Sequence, residues 1–402
     1  MRRGTRSAPV RHVLGRLALP RCLALLTSLA LAACSGPILA NPPLDRAGPA
    51  SPTPVPSRPA DPVALAFPRD DGPHDRLTEW WYDTGHLAAT DGRRFGFEVV
   101  FFRAERGALP VSWASHVALT DESGGTFRYA QRSAFGAAVD RSPRTDGLPA
   151  GFDLLLGAGP TGPTGTASPY WRMVGGGGRD RIEIALSPAE ATTADGGFGL
   201  ALDLVADRPP VLHDDDGWVD FGPGGGSYYA SRPRLAASGT LVVDGSPVTV
   251  TGSAWFDHQW GDFISVGGGW DWYAVNLDDG TDLTLSVVRG FDGATVFSYG
   301  TLVRPDGGVA RLPASAFTVT ATGTWQSAAT GAAYPAGWRV ELPGERLVIT
   351  LDPTVTGQEL DTRATTGVVY WEGSQRVAAT RDGSPLGGQA YVELTGYAPA
   401  GS

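Results

Sequence analysis

The segment DGSPVTVTGSAWFDH, residues 244–258, has a counterpart later in the chain, DGSPLGGQAYVELTG, residues 382–396. Both begin with Asp-Gly-Ser-Pro and continue with Gly-x-Ala-aromatic-x-acid, so that Asp257 aligns with Glu393. An Asp-Gly pair between two strand-like runs is a strong signal of a β-hairpin. Each copy therefore predicts the closing hairpin of a β-sheet.

A second pair of similar segments predicts an opening hairpin for each sheet. Trp81-Tyr82, followed by Asp91-Gly92, resembles Trp272-Tyr273, followed by Asp279-Gly280. After the first of these turns, every second residue of the predicted strand is aromatic or apolar. These residues share one face of the strand: Phe95, Phe97, Val99 and Phe101. We therefore expect two related units, each closed into an antiparallel β-barrel, because closure removes exposed sheet edges.

The composition favours an all-β protein. The chain has 402 residues with 55 glycines and 32 prolines, and both residue types disrupt helix interiors. We expect little helix. The chain is long enough for two domains, which we place at residues 62–265 and 266–398.

The N-terminal segment predicts export. Residues 1–36 combine arginines with an apolar run and end in Leu31-Ala32-Ala33-Cys34, a lipobox pattern in which Cys34 is acylated. The alternative is a plain secretory signal. Residues 37–61 are rich in proline and small residues and predict an extended tether. The expected location is the bacterial cell envelope, with the protein held to a membrane by lipid at Cys34, on the outer membrane or the periplasmic face.

The charge restricts the class of partner. The formal net charge is −10 and every basic residue is arginine. An acidic surface argues against nucleic acid and against anionic lipid headgroups, so we expect an apolar, cationic or protein partner.

Asp257 is the strongest candidate for chemistry. Alternation along the strand places Trp255 and Asp257 on one face and His258 and Trp260 on the other, so Asp257 and His258 should not form a dyad. A carboxyl group among aromatic rings has its pKa raised and can act as a general acid near neutral pH. The alternative is that Asp257 closes a turn or pairs with an arginine.

No cofactor or metal site is predicted. The histidines and acids show no HxH or HExxH spacing, and a site built from His86, His116, His258 and Asp257 has no support beyond composition. Fingerprints of nucleophilic serine, phosphate-binding and dinucleotide-binding sites are absent from the sequence as well.

Four segments in order carry a resemblance to a known family: EWWYDTGHL (79–87), SYYASRPRLAASGTL (227–241), GSAWFDHQWG (252–261) and GWDWYAVNLDDGTDLTLSVVRG (269–290). They resemble the lipocalin-like AttH/carotenoid 1,2-hydratase family. The resemblance implies two tandem lipocalin-like, calycin-type barrels. In the hydratase branch an aspartate protonates an isoprenoid double bond, which implies an acid role for Asp257 and a cation-facing role for Trp255. Tyr228 or Tyr229 is expected to add a second aromatic wall.

The remaining candidates complete the expected site. Trp81, His86 and His116 are further candidates for substrate binding, and four residues are candidates for the domain junction: His258, Trp260, Trp270 and Trp272. The DHQWG continuation is absent from the hydratase branch, and carotenoid enzymes are not usually envelope lipoproteins. The chain therefore resembles the AttH-like branch, often labelled secreted hydrolase, although no arrangement in the sequence supports hydrolysis.

Three functional hypotheses follow. The first is an enzyme that acts on an apolar isoprenoid or lipid, in its sharpest form a hydro-lyase that hydrates a C=C bond. The second is a carrier without catalysis, or an accessory protein of an envelope lipid transporter. The third is a scaffold in which the WFDHQWG segment joins the two domains. The sequence leaves open whether the protein is an enzyme.

Overall fold

The computed structural model describes residues 60–159, 169–194, 196–263 and 268–399. The predicted export signal, Cys34 and the tether as far as residue 59 lie outside these ranges. Within them, no helix has the length and hydropathy that a membrane span requires.

The first sheet has 12 strands, all from the first two thirds of the chain. Its order is β4-β3-β2-β1-β14-β13-β10-β9-β8-β7, with β11 and β12 paired to β13, while β5 and β6 form a separate hairpin. The strands are β1 (Thr78–Ala89), β2 (Arg94–Ala104), β3 (Ser112–Asp121), β4 (Thr126–Phe135), β5 (Arg144–Thr145), β6 (Leu148–Pro149), β7 (Phe152–Gly157), β8 (Tyr170–Gly176), β9 (Arg179–Ala185), β10 (Phe198–Ala206), β11 (Val211–Leu212), β12 (Trp218–Asp220), β13 (Gly226–Val243) and β14 (Ser246–Gly261).

The second sheet has 10 strands in the order β18-β17-β16-β15-β26-β25-β23-β22-β19, with β24 paired to β25. Strands β20 and β21 pair with each other. The strands are β15 (Gly269–Leu277), β16 (Asp282–Arg289), β17 (Thr295–Val303), β18 (Val309–Pro313), β19 (Thr318–Ala321), β20 (Thr324–Gln326), β21 (Ala333–Pro335), β22 (Trp338–Leu342), β23 (Leu347–Pro353), β24 (Glu359–Asp361), β25 (Val369–Arg381) and β26 (Ser384–Thr395).

Helix is scarce, as the composition predicts. The described residues contain one α-helix, α1 (Pro188–Thr193), which begins with a capping box formed by Ser187 and Glu190. Short 3-10 turns lie at Arg69–Asp71, Gly222–Gly224, Ala314–Ala316 and Pro343–Glu345. The all-β class with two large barrel-like sheets is thereby confirmed. The expected boundary between residues 265 and 266 falls among residues 264–267, which the structure does not describe.

The two closing hairpins form for the same local reason. Asp244-Gly245 joins β13 to β14 and Asp382-Gly383 joins β25 to β26. Both residues of each pair have positive φ, 50° and 77° in the first turn and 53° and 78° in the second. Two-residue turns with this geometry match the twist of antiparallel strands and favour Asp-Gly. In both sheets the closing strand then pairs with the opening strand, β14 with β1 and β26 with β15.

Each sheet encloses its own apolar core. The first includes the predicted aromatic face of β2, namely Phe95, Phe97, Val99 and Phe101, all buried. The second is built around Tyr273, Trp338 and Trp371. The opposite faces of the same strands therefore remain available for contact between the sheets.

The predicted alignment of Trp81 with Trp272 is wrong by one residue. Tyr82 lies opposite Asp257, and Trp272 lies opposite Glu393. Tyr82 is thus the counterpart of Trp272, while Trp81 faces the first core. Because side chains alternate along a strand, a shift of one residue moves a side chain to the other face of the sheet.

Candidate active site between the two sheets

A cavity of about 260 Å³ lies where the outer faces of the two sheets meet. The contacts between the sheets involve β1, β2 and β13 of the first and β15, β25 and β26 of the second. The lining side chains are mostly aromatic and apolar, with a few carboxyl groups among them. They include Trp80, Tyr82, Glu98, Val100, Phe102, Tyr229, Asp257, Trp270, Trp272, Tyr299, Tyr370 and Glu393.

The aromatic walls come from both sheets. The ring of Trp272 packs edge-on against Tyr82, with centroids 5.4 Å apart, and against Trp255, with centroids 6.1 Å apart. Val100 belongs to the same cluster. The face of an aromatic ring held in this way can stabilise a positive charge that develops beside it.

Asp257 lies in the cavity wall and receives three side-chain hydrogen bonds. Trp255 Nε1 donates to Oδ1 over 2.6 Å, Ser231 Oγ also donates to Oδ1, and the Tyr229 hydroxyl donates to Oδ2. Tyr229 in turn accepts from Trp272 Nε1 at 2.9 Å. Burial raises the pKa of Asp257 to about 6, although the three donors favour its ionised form. The partners are thus neither an arginine nor the backbone of a turn.

A hydrogen-bonded chain leads away from Asp257 to the second sheet. Ser231 Oγ contacts His213 Nε2 at 2.6 Å, and His213 Nδ1 contacts Thr301 Oγ1 at 2.8 Å. Because Ser231 has one proton and gives it to Asp257, His213 must donate from Nε2 and accept at Nδ1. Burial lowers the pKa of His213 to about 3, so this histidine is neutral. This series of hydrogen bonds therefore fixes the Ser231 hydroxyl as a donor and Oδ1 of Asp257 as its acceptor.

Two more carboxyl groups, Glu98 and Glu393, line the cavity, and a third, Glu372, contacts the lining residue Tyr82. Burial raises the pKa of Glu393 to about 7 and that of Glu98 to about 8, and it raises the pKa of Glu372 well above its ordinary value. Two tyrosines bind two of these acids across the sheets: Tyr370 donates to Glu98 at 2.8 Å, and Tyr82 donates to Glu372 at 2.7 Å. The cavity thus combines an apolar lining with protonatable acids.

A separate buried cluster lies on the other face of β14. Glu79 Oε1 accepts from His74 Nδ1 at 2.8 Å and from His258 Nε2 at 3.0 Å. Burial raises the pKa of Glu79, but the two histidines outweigh it and hold the pKa at about 2. These three ligand atoms lie within 4.8 Å of one another, close enough to hold a metal ion.

The three ligand atoms of this cluster are nevertheless already hydrogen-bonded to one another. His258 Nδ1 has no hydrogen-bond partner, whereas a histidine that binds a metal almost always donates its other ring nitrogen proton to a neighbour. The cluster therefore fits a buried ion pair better than a metal site. The metal site considered from His86, His116, His258 and Asp257 is not assembled, since Asp257 lines the cavity whereas His258 contacts Glu79 on the other face of β14.

The other predicted substrate-binding residues are divided between the cavity and the cores. Tyr229 lines the cavity, whereas Tyr228 donates to Asp61 at 2.7 Å and anchors the start of the described chain. Trp81 is buried in the first core and donates to the Asp71 carbonyl oxygen at 2.9 Å. Trp255 does not line the cavity itself. It donates a hydrogen bond from its indole nitrogen to Asp257, which does line the cavity.

The two histidines predicted for binding lie at the contact between the sheets. His116 is buried and contacts the hydroxyl of Tyr370, a lining residue, at 2.8 Å. His86 contacts Glu122 at 3.2 Å and the Ala390 carbonyl oxygen at 3.1 Å, beside a different, polar pocket. Neither histidine reaches the cavity directly.

The four residues predicted for the domain junction also separate. Trp270 and Trp272 line the cavity between the sheets. His258 instead stacks on Trp81 with centroids 4.7 Å apart, and Trp260 stacks on His74 at 4.1 Å. For His258 and Trp260 the junction prediction is corrected. Because these residues alternate with Asp257 along β14, their side chains lie on the face of the strand opposite the cavity.

Several site residues escaped sequence reasoning. Glu98 alone among them carries a local signal, because it is a single acid within an aromatic strand. Glu372, Tyr370 and His213 carry no local signal, because their partners are distant in sequence.

Comparison with known proteins places the fold. A family model described as AttH-like matches residues 58–397. A crystal structure of a protein from Nitrosomonas europaea, described as an AttH, is 34% identical, covers 85% of this chain and 100% of its own, and has a TM-score of 0.70. Kievitone hydratase from Nectria haematococca is 14% identical, with coverage of 83% and 93% and a TM-score of 0.60. CghA is 13% identical, with coverage of 80% and 89% and a TM-score of 0.51. No curated protein matches the chain. The last two likenesses concern the fold alone.

Proposed function

The chain belongs to the AttH-like family, and on that premise we propose that the cavity between its sheets binds an apolar, isoprenoid-like molecule and hydrates a C=C bond of it. One observation carries the proposal: Asp257, with a pKa of about 6, lies in the wall of a cavity lined mainly by aromatic and apolar side chains. A carboxyl group that is partly protonated near neutral pH is what general acid catalysis requires.

The reaction needs one proton to enter and one to leave. A protonated carboxyl group adds its proton to the double bond, and the new C–H bond leaves a carbocation on the neighbouring carbon. The rings of Trp272 and Tyr82 stabilise that charge. Water then forms a C–O bond with the cation, and a carboxylate takes the released proton. Asp257 can take either role, and the cavity lining holds further carboxyl groups for the other.

The volume limits what the cavity encloses. At about 260 Å³ it is slightly below the usual range for ligand pockets, about 300–1,000 Å³. We therefore propose that the cavity holds the reacting end of a longer molecule.

Hydration is tested with a panel of probes that carry trisubstituted double bonds: geraniol and farnesol in buffer, and squalene and lycopene in detergent. In ¹⁸O-labelled water, mass spectrometry should find a tertiary alcohol with one ¹⁸O per added water. Asp257→Asn should reduce the yield about 100-fold or more. Asp203→Asn, on an exposed part of β10, is the matched control. Equal yields for the wild type and Asp257→Asn would refute the mechanism.

The second candidate is a carrier, and the same cavity supports it. If probes bind without conversion, and Asp257→Asn still co-purifies with the same lipid, the carrier function is favoured. The accessory role beside an envelope lipid transporter then becomes the working hypothesis.

We also propose that the protein is exported and lipid-anchored at Cys34. Metabolic labelling with a fatty acid should mark the wild type in bacterial cells, whereas Cys34→Ser should remain unlabelled. Export without label in the wild type would favour the plain secretory signal.

A further inference from the structure

Glu393 occupies on the second sheet the place that Asp257 occupies on the first. Asp257 lies on β14 opposite Tyr82 of β1, and Glu393 lies on β26 opposite Trp272 of β15. Both carboxyl side chains line the same cavity. The repeat thus brings two acids from different sheets to one site.

The two acids differ in their hydrogen bonds. Asp257 is 3% exposed and accepts from Trp255, Ser231 and Tyr229. Glu393 is half-buried, lines the cavity, and is hydrogen-bonded to the side chain of Trp270. Donors stabilise the ionised form of a carboxyl group, so the proton resides on Glu393 in preference to Asp257.

We propose that Glu393 is a second catalytic residue, the acid that protonates the double bond, while Asp257 is the base that receives the proton from water. The assignment rests on the proposed hydration. In it, the Glu393 O–H bond breaks as the C–H bond forms, the water oxygen bonds to the cation, and the water proton passes to Asp257. Asp257 then releases this proton to solvent and Glu393 takes one proton from solvent, so charge and atoms balance over the cycle.

The surroundings of Glu393 support this order of ionisation. Burial raises its pKa to about 7, the Trp270 hydrogen bond lowers it, and the charge of Asp257 raises it. Other groups that interact electrostatically with Glu393 are Glu98, Glu372, Tyr82 and Tyr370. The basic side chain of the described cavity lining is Arg106, which donates to the Glu105 carbonyl oxygen at 2.8 Å. Of the pair, Asp257 with its three donors is therefore the more readily ionised member and Glu393 the more readily protonated one.

Deuterium incorporation separates the two roles. The probes are geraniol and farnesol in D₂O, and mass spectrometry follows carbon-bound deuterium as well as added water. Glu393→Gln should lose both by about 100-fold or more, because no proton reaches the double bond. Asp257→Asn should lose hydration but keep deuterium incorporation, since protonation can still occur and reverse. Glu393→Asp should restore part of the activity, and Glu341→Gln, an acid on the surface of β22, should match the wild type.

The reverse pattern would overturn the assignment: deuterium incorporation that survives Glu393→Gln and disappears in Asp257→Asn. If the wild type converts no probe, the proposed function fails and a second measurement still decides where the proton lies. Infrared difference spectra at pH 7 should show a protonated carboxyl band that Glu393→Gln removes and Asp257→Asn retains. A band lost only in Asp257→Asn would contradict the assignment.

Discussion

The phenol of Tyr82, on the first sheet, donates a 2.7 Å hydrogen bond to Glu372 on the second, and Tyr370 of the second sheet donates in return to Glu98 of the first. Each carboxyl group keeps one buried oxygen, Oε2, without a hydrogen-bond partner. A buried carboxyl group with few donors is held in its neutral form. The contact between the sheets therefore depends on protonated acids.

This crossed arrangement predicts that stability falls as pH rises. Burial raises the pKa of Glu98 from 4.5 to about 8, so the folded state binds its proton more tightly than the unfolded state. The stabilisation is complete below the unfolded pKa and is lost as pH rises through the folded one. The free energy of unfolding in urea should decline between about pH 5 and pH 8. Glu98→Gln should flatten the decline, whereas Glu341→Gln should run parallel to the wild type. Equal slopes for the wild type and Glu98→Gln would contradict this account.

Ser231 should control the pKa of Asp257. Ser231→Ala removes a donor from Oδ1, so the ionised form loses support and the pKa of Asp257 should rise from about 6. The acidic limb of the activity profile, or the ¹³C carboxyl shift in a titration, should move to higher pH by up to about one unit. Ser238→Ala, exposed on the same strand, is the matched control. An unchanged titration in Ser231→Ala would show that the serine does not support the carboxylate.

Two tryptophans in equivalent sequence motifs should behave differently. Trp81→Phe leaves the Asp71 carbonyl oxygen without its donor in the first core and should cost about 1–3 kcal/mol of stability. Trp272→Phe removes the donor to Tyr229 at the cavity and should weaken probe binding. Urea unfolding and fluorescence titration with farnesol measure the two effects. Weakened binding in Trp81→Phe at full stability would contradict its placement in the core.

Glu79 should be essential for stability because it serves two histidines. Glu79→Gln removes a buried charge that His74 and His258 both contact, and should cost about 3–5 kcal/mol. Since the pKa of Glu79 is held at about 2, its contribution is present above about pH 4.5 and is lost as pH falls towards 2. Asp203→Asn, an exposed acid on β10, should change stability by less than about 0.5 kcal/mol. Equal unfolding midpoints for these two variants would refute the prediction.

Sequence reasoning succeeded where the signal is local. The Asp-Gly turns, the alternation along β2 and the opposite faces of Asp257 and His258 all follow from neighbouring residues, because turn chemistry and strand period are local properties. The alignment of Trp81 with Trp272 was wrong, because the two similar Trp-Tyr motifs differ by one residue in their position along the opening strands. A local comparison cannot detect such a shift, since register is set by pairing with a distant strand.

By itself, the sequence determined the all-β class, the repeated hairpins and the presence of an acid beside aromatic rings, since each is encoded within a short stretch. Only the tertiary structure decided which acids share a cavity. Because the two sheets pack face to face, one cavity is lined by both Asp257 and Glu393. The same packing brings Tyr370 to Glu98 and Tyr82 to Glu372. That packing depends on surfaces built from residues far apart in the chain, and the pKa of every acid between the sheets depends on it in turn.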